Sequence, residues 1–235
     1  MTLIMKLAAA AGALLIATTA EAAVVEPFAG AMRTDWSQGI GAPDPYGATA
    51  PDGSPGWALS YPAWAYNSAI SFAPGQVLTA WFNPNLVADP AGGFDGGGQL
   101  FLGFAANAAG AYSLDASSDQ TLNTGSIGFQ ANAVYGNADL ATADFTWADQ
   151  WYLLAVVWAP DGGVTGDIYD ADGVTLLESI AGPDLVGAPT GIALAGYGGV
   201  DVADIAVSDI PEPGAAALLL SGVAGLVRAR RRTVG

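Results

Sequence analysis

Short apolar runs separated by turn residues dominate the middle of the chain. The breaks carry proline, aspartate and glycine together, as in 42–45, 51–53, 92–98, 160–163 and 170–173. Glycine supplies positive φ, while proline and aspartate start turns, so each cluster predicts the end of a strand. The Lys/Glu-rich amphipathic pattern of surface helices is absent from this region. The pattern therefore predicts an all-β body.

The clearest predicted strands lie late in the chain. Residues 150–158 are apolar on both faces, which predicts a central strand covered on both sides. The turn at 160–163 leads into 164–169, where Val164 and Ile168 share one face and Thr165, Asp167 and Tyr169 share the other. A second turn at 170–173 leads into 174–180. Two successive hairpins predict an antiparallel meander.

Further strands are predicted at 69–72, 77–82, 99–105, 126–130, 191–195 and 202–207. About ten to twelve short strands with regularly spaced turns indicate an antiparallel β-sandwich or jelly roll. The pieces GQVLTAWFNP, DQWYLLAVVWAPDGGVTGDIYDADGVTLLESI and GIALAGYGGVDVADIAVS resemble the concanavalin A-like, laminin-G-like jelly roll of lectins and glucanases. The resemblance covers a domain at 24–209, and no lectin binding residue carries over by motif.

The beginning of the chain has the pattern of a secretory signal peptide. Lys6 precedes an apolar run at 7–17, and Ala20-Glu21-Ala22 supplies small residues at a cleavage site. This order predicts a signal peptide at 1–23, cut after Ala22 or Ala23.

The far end combines a rigid joint, an apolar segment and a basic cluster. Proline fixes φ and lacks an N–H, so Pro211-Glu212-Pro213 ends the last strand. Residues 214–227 carry no charge, and as a transmembrane helix they would span about 21 Å, short of the ~30 Å hydrocarbon layer. Four arginines follow, at positions 228, 230, 231 and 232. Basic flanks stay cytoplasmic, so the body is expected outside the inner membrane.

This three-part tail at 210–235 resembles the PEP-CTERM sorting signal. Pro211, Glu212 and Pro213 match its motif, and Arg228, Arg230, Arg231 and Arg232 match its basic end. The resemblance implies that the protein is an exosortase substrate of a Gram-negative bacterium that makes extracellular polysaccharide. It further implies a precursor held transiently in the inner membrane, then cut and delivered to the cell surface or matrix. The alternative is an ordinary single-span tail anchor.

The charge distribution narrows the range of partners. Acidic residues number 22 against six basic ones. Between positions 24 and 210 only Arg33 is basic against 20 acidic residues, a formal charge of −19. Such a body repels phosphate backbones and anionic lipid, which argues against nucleic acid as a partner. The chain has no cysteine or histidine, which excludes disulfides, thiolate nucleophiles and Cys/His zinc sites.

The acidic residues show neither a catalytic pair nor a regular calcium loop. A glycoside hydrolase of the jelly-roll glucanase type needs two carboxyl groups, and Glu178 has no acidic neighbour two or four residues away. Asp167 to Glu178 has the length of an EF-hand loop, but its acids and glycine fall at the wrong positions, so a hairpin turn is predicted. Neither a catalytic residue nor a cofactor is assigned, and calcium stays an alternative. Looser calcium candidates are Asp95, Asp115, Asp119, Asp201 and Asp204.

Aromatic residues at 57–66 suggest a surface for sugars. Trp57, Tyr61 and Trp64 are interrupted by Pro62, which predicts a loop or sheet edge where rings could stack on carbohydrate. The alternative is that these rings fill the core, as expected for Trp81, Trp151 and Trp158. The leading hypothesis is an exported, non-enzymatic surface or matrix protein with a structural or adhesive role and weak binding of extracellular polysaccharide. A calcium-assisted lectin is the runner-up, and a glycan hydrolase is third.

Overall fold

The computed structural model describes residues 23–26, 35–40, 44–59, 63–89, 93–95, 98–118, 125–133, 136–183 and 191–210. These residues form seventeen strands: β1 (Ala23–Glu26), β2 (Ser37–Ile40), β3 (Asp44–Thr49), β4 (Pro55–Leu59), β5 (Ala63–Asn67), β6 (Gln76–Asn83), β7 (Val87–Asp89), β8 (Gly93–Asp95), β9 (Gln99–Asn107), β10 (Gly110–Ser118), β11 (Gly125–Ala133), β12 (Gly136–Phe145), β13 (Tyr152–Trp158), β14 (Val164–Tyr169), β15 (Leu176–Ala181), β16 (Ile192–Tyr197) and β17 (Val200–Asp209).

Two large antiparallel sheets contain nearly all of these strands. Sheet A has eight strands in the order β15-β14-β13-β6-β17-β4-β3, with β1 also paired to β17. Sheet B has seven, in the order β12-β11-β10-β9-β16-β5-β2. The short strands β7 and β8 pair separately. The predicted all-β sandwich is confirmed.

The predicted late meander is present as β13, β14 and β15. Strand β13 lies between β14 and β6, with Leu154 opposite Ile168 on one side and Ala80 on the other. Val156 and Ala155 are both fully buried although they point to opposite faces of the sheet. An apolar run without alternation is the sequence signal of such a doubly covered strand.

The main core lies between the facing surfaces of sheets A and B. It joins Leu78 and Val156 of sheet A to Leu102 and Leu114 of sheet B. Close approach of the sheets requires glycine at 166, because a Cβ there would lie 2.4 Å from a methyl carbon of Leu114. This layer holds most of the apolar area that the fold removes from water.

Two sequence predictions differ from the structure. Residues 69–72 are turn and loop rather than strand, because the Asn67 side chain accepts a hydrogen bond from the Ala69 N–H at 3.0 Å and ends β5 there. The tract around Trp57 and Trp64 is two strands, β4 in sheet A and β5 in sheet B, instead of a loop. The proline at 62 lies in the connection between them, outside the described residues.

The three tryptophans predicted for the core divide between two environments. Trp158 lies in the main core with 1% of its surface exposed. Trp81 and Trp151 instead pack with Ala203 and Leu153 in a smaller cluster on the outer side of sheet A. The strand alternation explains this, since Ala80 and Phe82, the neighbours of Trp81, face the main core.

The predicted signal peptide and sorting tail fall outside the described residues, apart from Ala23 at the start of β1 and Ile210 after β17. Both therefore stay predictions. The described residues include no helix with the length and hydropathy that a membrane span requires.

Candidate functional site

The outer face of sheet B carries polar and aromatic side chains in register. Leu100, Leu102 and Leu114 face the main core, so their neighbours along β9 and β10 face outward. Strand pairing joins these outward residues into rows that cross the sheet. One row runs Gly128, Asp115, Phe101, Ala195, Trp64, and the next runs Asp139, Gln130, Ser113, Gly103, Ala193, Tyr66.

The polar end of this face is a cluster of Asp115, Gln130 and Asp139. The Gln130 side-chain nitrogen Nε2 donates to Asp115 Oδ2 at 3.1 Å and to Asp139 Oδ1 at 2.9 Å. One amide NH₂ group therefore bridges two carboxyl groups from β10 and β12. Asp115 is 4% exposed and Gln130 7% exposed, whereas Asp139 is solvent-exposed.

A β-bulge brings Asp139 into this cluster. Phe129 pairs with Ala141, but the next residue of β11, Gln130, pairs with Asp139. Leu140 is therefore the extra residue on β12, and it is 45% exposed. A regular ladder would have placed Leu140 opposite Gln130, with no second carboxylate in reach.

Two oxygens of the cluster are buried without a hydrogen-bond partner, Asp115 Oδ1 and Gln130 Oε1. Burial, reinforced by the negative charge of Asp139, raises the pKa of Asp115 to about 7. The described residues contain no lysine, arginine or histidine that could supply a counter-charge. A buried carboxyl with a strongly raised pKa is typical of functional sites, since it costs stability.

The aromatic end of the face lies on β5. Trp64 and Tyr66 have ring centroids 6.3 Å apart and interplanar angle 35°. Trp64 packs with Ala106, Ala111 and Ala193, and 7% of it is exposed. Three strand spacings separate β5 from β10, about 14 Å. Phe101 and the small residues Gly103, Ala193 and Ala195 lie between the aromatic and polar ends.

Trp57 and Trp64, two residues of the predicted sugar platform, lie in different layers of the sandwich. Trp57 is 1% exposed and lies in the main core, opposite Val202 of β17. Trp64 faces outward on sheet B, and Tyr61 lies outside the described residues. The structure therefore does not bring Trp57 and Trp64 to one surface. Gln130 and Asp139 were not among the sequence candidates, because only the pairing register joins them to Asp115.

Two of the remaining calcium candidates, Asp201 and Asp204, lie on β17. Burial raises the pKa of Asp201, although a side-chain hydrogen bond with Asn85 lowers it in part. Burial and the charge of Asp52 likewise raise the pKa of Asp204. Asp95 lies in β8, while Asp119 is outside the described residues. No group of three or more Asp, Glu, His or Cys side chains suited to a metal occurs among the described residues.

The acids between 167 and 178 serve the hairpin, as predicted. Asp172 accepts hydrogen bonds from the N–H groups of Val174 and Thr175 at 2.8 Å each, in an Asx turn. Asp170 accepts from Gln150 Nε2 at 2.9 Å. Asp167 is buried on the outer face of sheet A and accepts from Ser179 Oγ at 2.5 Å. The carboxylates therefore stabilise the turn and strand pair.

Comparison with known proteins yields similarities of shape alone. No protein-family model and no curated protein sequence matches the chain. A protein of unknown function from Shewanella oneidensis MR-1 is 13% identical with a TM-score of 0.45, covering 82% of this chain and 80% of that one. The exoplasmic/lumenal domain of VIP36, bound to Ca²⁺ and Man3GlcNAc, is 16% identical with a TM-score of 0.46, covering 77% and 90%. Galectin-Ib of Xenopus laevis is 11% identical with a TM-score of 0.38, covering 61% and 96%. At these values the similarities imply nothing about what this chain binds.

Proposed function

We propose that this chain is an exported, non-enzymatic surface or matrix protein that binds neutral carbohydrate through the outer face of sheet B. The signal-peptide pattern and the three-part tail support export and sorting. The body's formal charge of −19 between positions 24 and 210 favours a neutral ligand over an anionic one. An adhesive or structural role in extracellular polysaccharide follows from these features together.

The aromatic and polar side chains that lie in register on the outer face of sheet B are the reason for proposing a carbohydrate ligand. Tyr66 is partly exposed beside the buried indole of Trp64, and aromatic rings suit the CH groups of a sugar. Asp139 is exposed at the polar end of the face, where its carboxylate can accept hydrogen bonds from sugar hydroxyls. A face with aromatic side chains at one end and an exposed carboxylate at the other matches the mixed polar and apolar surface of a carbohydrate chain.

Hydrolysis fits the polar cluster poorly. A glycosidase needs its two carboxyl groups on either side of the scissile bond, with the space between them open to the substrate. Here the amide nitrogen of Gln130 occupies the space between Asp115 and Asp139. The proposal is therefore binding, with no release of reducing ends from a bound glycan.

Glycan-array and calorimetric binding test the ligand. The full chain is expected to bind neutral polysaccharides and to reject uronic-acid polymers. Trp64→Ala is expected to weaken binding at least about tenfold, because it removes the indole that lies beside the Tyr66 ring and one stacking contact contributes about 1.4 kcal/mol or more. Trp151→Ala, which removes the same side chain from the outer side of sheet A, is the matched control and is expected to bind normally.

Three outcomes decide between the alternatives. Binding that is equal in Trp64→Ala and Trp151→Ala would remove sheet B as the ligand surface. Binding lost on addition of EDTA would favour a calcium-assisted lectin. No binding to any neutral glycan would leave a structural role alone, and circular dichroism of each variant checks that it is folded.

Intact-mass analysis of the exported protein tests the sorting part of the proposal. The mature species is expected to begin after Ala22 or Ala23 and to end near Pro213, because the resemblance implies removal of both end segments. Replacing Pro211, Glu212 and Pro213 by alanine should retain the tail in the membrane fraction. Recovery of the uncut chain from the cytosol would contradict export.

A further inference from the structure

We propose that Asp115, Gln130 and Asp139 form a binding site for a divalent cation of the calcium type. The inference goes beyond glycan binding, because it adds a cation at the polar end of the face that can bind without a glycan. Three neighbouring strands, β10, β11 and β12, each contribute one oxygen-bearing side chain. Carboxylate and amide oxygens are the ligands that calcium prefers in proteins.

The position of the Gln130 amide nitrogen marks where a cation would be stabilised. It lies 3.1 Å from Asp115 Oδ2 and 2.9 Å from Asp139 Oδ1, as a positively polarised group between two carboxyls. Gln130 Oε1 points elsewhere and has no partner. Rotation of the amide by half a turn would break the two hydrogen bonds donated by Nε2 and direct Oε1 toward the carboxyl groups, where a bound cation would replace the amide nitrogen between them. The rotated cluster would present oxygens from three side chains to one point.

The unpaired oxygen of Asp115 is the independent sign of a missing ligand. Its Oδ1 is buried without a partner in a residue that is 4% exposed. Buried charges in proteins are normally paired or coordinate a metal. The part of the chain that the structure describes contains no lysine, arginine or histidine to pair with Asp115.

Calcium suits the cluster better than magnesium or zinc. Asp139 is exposed, so waters can complete the six to eight positions that calcium takes in flexible geometry. Magnesium demands near-ideal octahedral geometry at shorter distances, which side chains fixed on three adjacent strands do not readily give. Zinc favours cysteine and histidine, which the chain lacks. Two carboxylates and one amide resemble weak extracellular sites, with a Kd on the order of 0.1–1 mM.

Calorimetric titration of the EDTA-treated full chain with CaCl₂, in the absence of glycan, tests this site. The wild type is expected to bind with a Kd in that range. Asp115→Asn is expected to weaken binding at least about tenfold, because it removes one of two coordinating charges. Gln130→Glu is expected to tighten binding about tenfold, since it adds a third carboxylate at the same position.

A control variant on β12, the strand of Asp139, distinguishes Ca²⁺ binding at the site from nonspecific attraction of Ca²⁺ to an acidic protein. Asp144→Asn removes one exposed carboxylate of β12 outside the cluster and should bind Ca²⁺ like the wild type. Equal loss in Asp144→Asn and Asp115→Asn would overturn the site in favour of nonspecific attraction. Calcium affinity unchanged in Gln130→Glu, or MgCl₂ binding as tight as CaCl₂ binding, would overturn it as well. Glycan binding that fails while calcium binding succeeds would leave this site intact.

Discussion

Replacing Asp115 by asparagine is expected to raise the free energy of unfolding by about 4 kcal/mol at pH 8 in the presence of EDTA. The pKa of Asp115 in the folded protein is about 7, whereas an unperturbed aspartate has a pKa of 3.8. A difference of one between the pKa values of the folded and unfolded states changes the free energy of unfolding by about 1.4 kcal/mol. In a chain of this length the gain corresponds to a rise in Tm on the order of 10 °C.

The pH dependence has a definite sign. Between the unfolded and folded pKa values the native state holds a proton that the unfolded chain has lost, so the wild type loses stability as pH rises. The loss begins near pH 4 and is complete a little above pH 7. Asparagine has no such titration, so the advantage of Asp115→Asn should shrink to about 1–2 kcal/mol at pH 5. Urea unfolding of both proteins at pH 5 and pH 8 measures the difference.

The matched control is Asp144→Asn, an exposed acid on β12 that makes the same change in net charge. Its stability is expected to stay within about 0.5 kcal/mol of the wild type at both pH values. An Asp115→Asn variant no more stable than the wild type at pH 8 would mean that the carboxyl is satisfied in the native state. The cost assigned to the buried acid would then disappear.

A stability cost at one position in a strongly acidic protein has a functional meaning. Selection readily removes a destabilising carboxyl from a sheet, since an amide of the same shape avoids ionisation. Asp115 also belongs to a cluster that exists only because a bulge displaces Leu140. Bulges of this kind often redirect a side chain next to a binding site. The proposed cation site uses both features, because a bound cation would satisfy the unpaired oxygens.

The late meander was predictable from the sequence because two independent signals agree there. Strand β13 is apolar at every position, and Asp-Gly turns bound β14 on both sides. Strands β10 and β12 were not predicted, since most of their residues are alanine, serine, glycine, asparagine and aspartate, with few β-branched or aromatic side chains. Their place in the sheet comes from pairing with β9 and β11, which is tertiary information.

The candidate site was predictable only in part for the same reason. Asp115 stands in a strand next to Leu114 and Ala116, so alternation alone would put it on the outer face. Its partners, however, depend on the register of two further strands and on a one-residue bulge. Short-range periodicity does not encode a bulge, and a shift of one residue would place a different side chain in the cluster.

Replacing Trp57 by alanine is expected to lower the free energy of unfolding by about 3–5 kcal/mol, the range for removing a large buried aromatic side chain. Trp57 is 1% exposed, lies on the inner face of β4 and is opposite the fully buried Val202. The indole fills space between the two sheets, and a side chain of this size leaves a cavity that close-packed neighbours cannot fill. Urea unfolding should show a lower midpoint with little change in slope.

The Trp57→Ala variant also distinguishes a role of Trp57 in the core from a role in ligand binding. If Trp57 belonged to an exposed sugar platform, its loss would weaken glycan binding and leave stability nearly unchanged, because an exposed ring contributes little to folding. The burial of Trp57 predicts the reverse, with glycan affinity preserved in the folded fraction. Trp64 is also buried, with 7% of its surface exposed, so Trp64→Ala should lower both the free energy of unfolding and the glycan affinity, since Trp64 lies on the outer face of sheet B. A Trp57→Ala protein that keeps its stability and loses its ligand would place the binding surface at β4 of sheet A instead of on the outer face of sheet B.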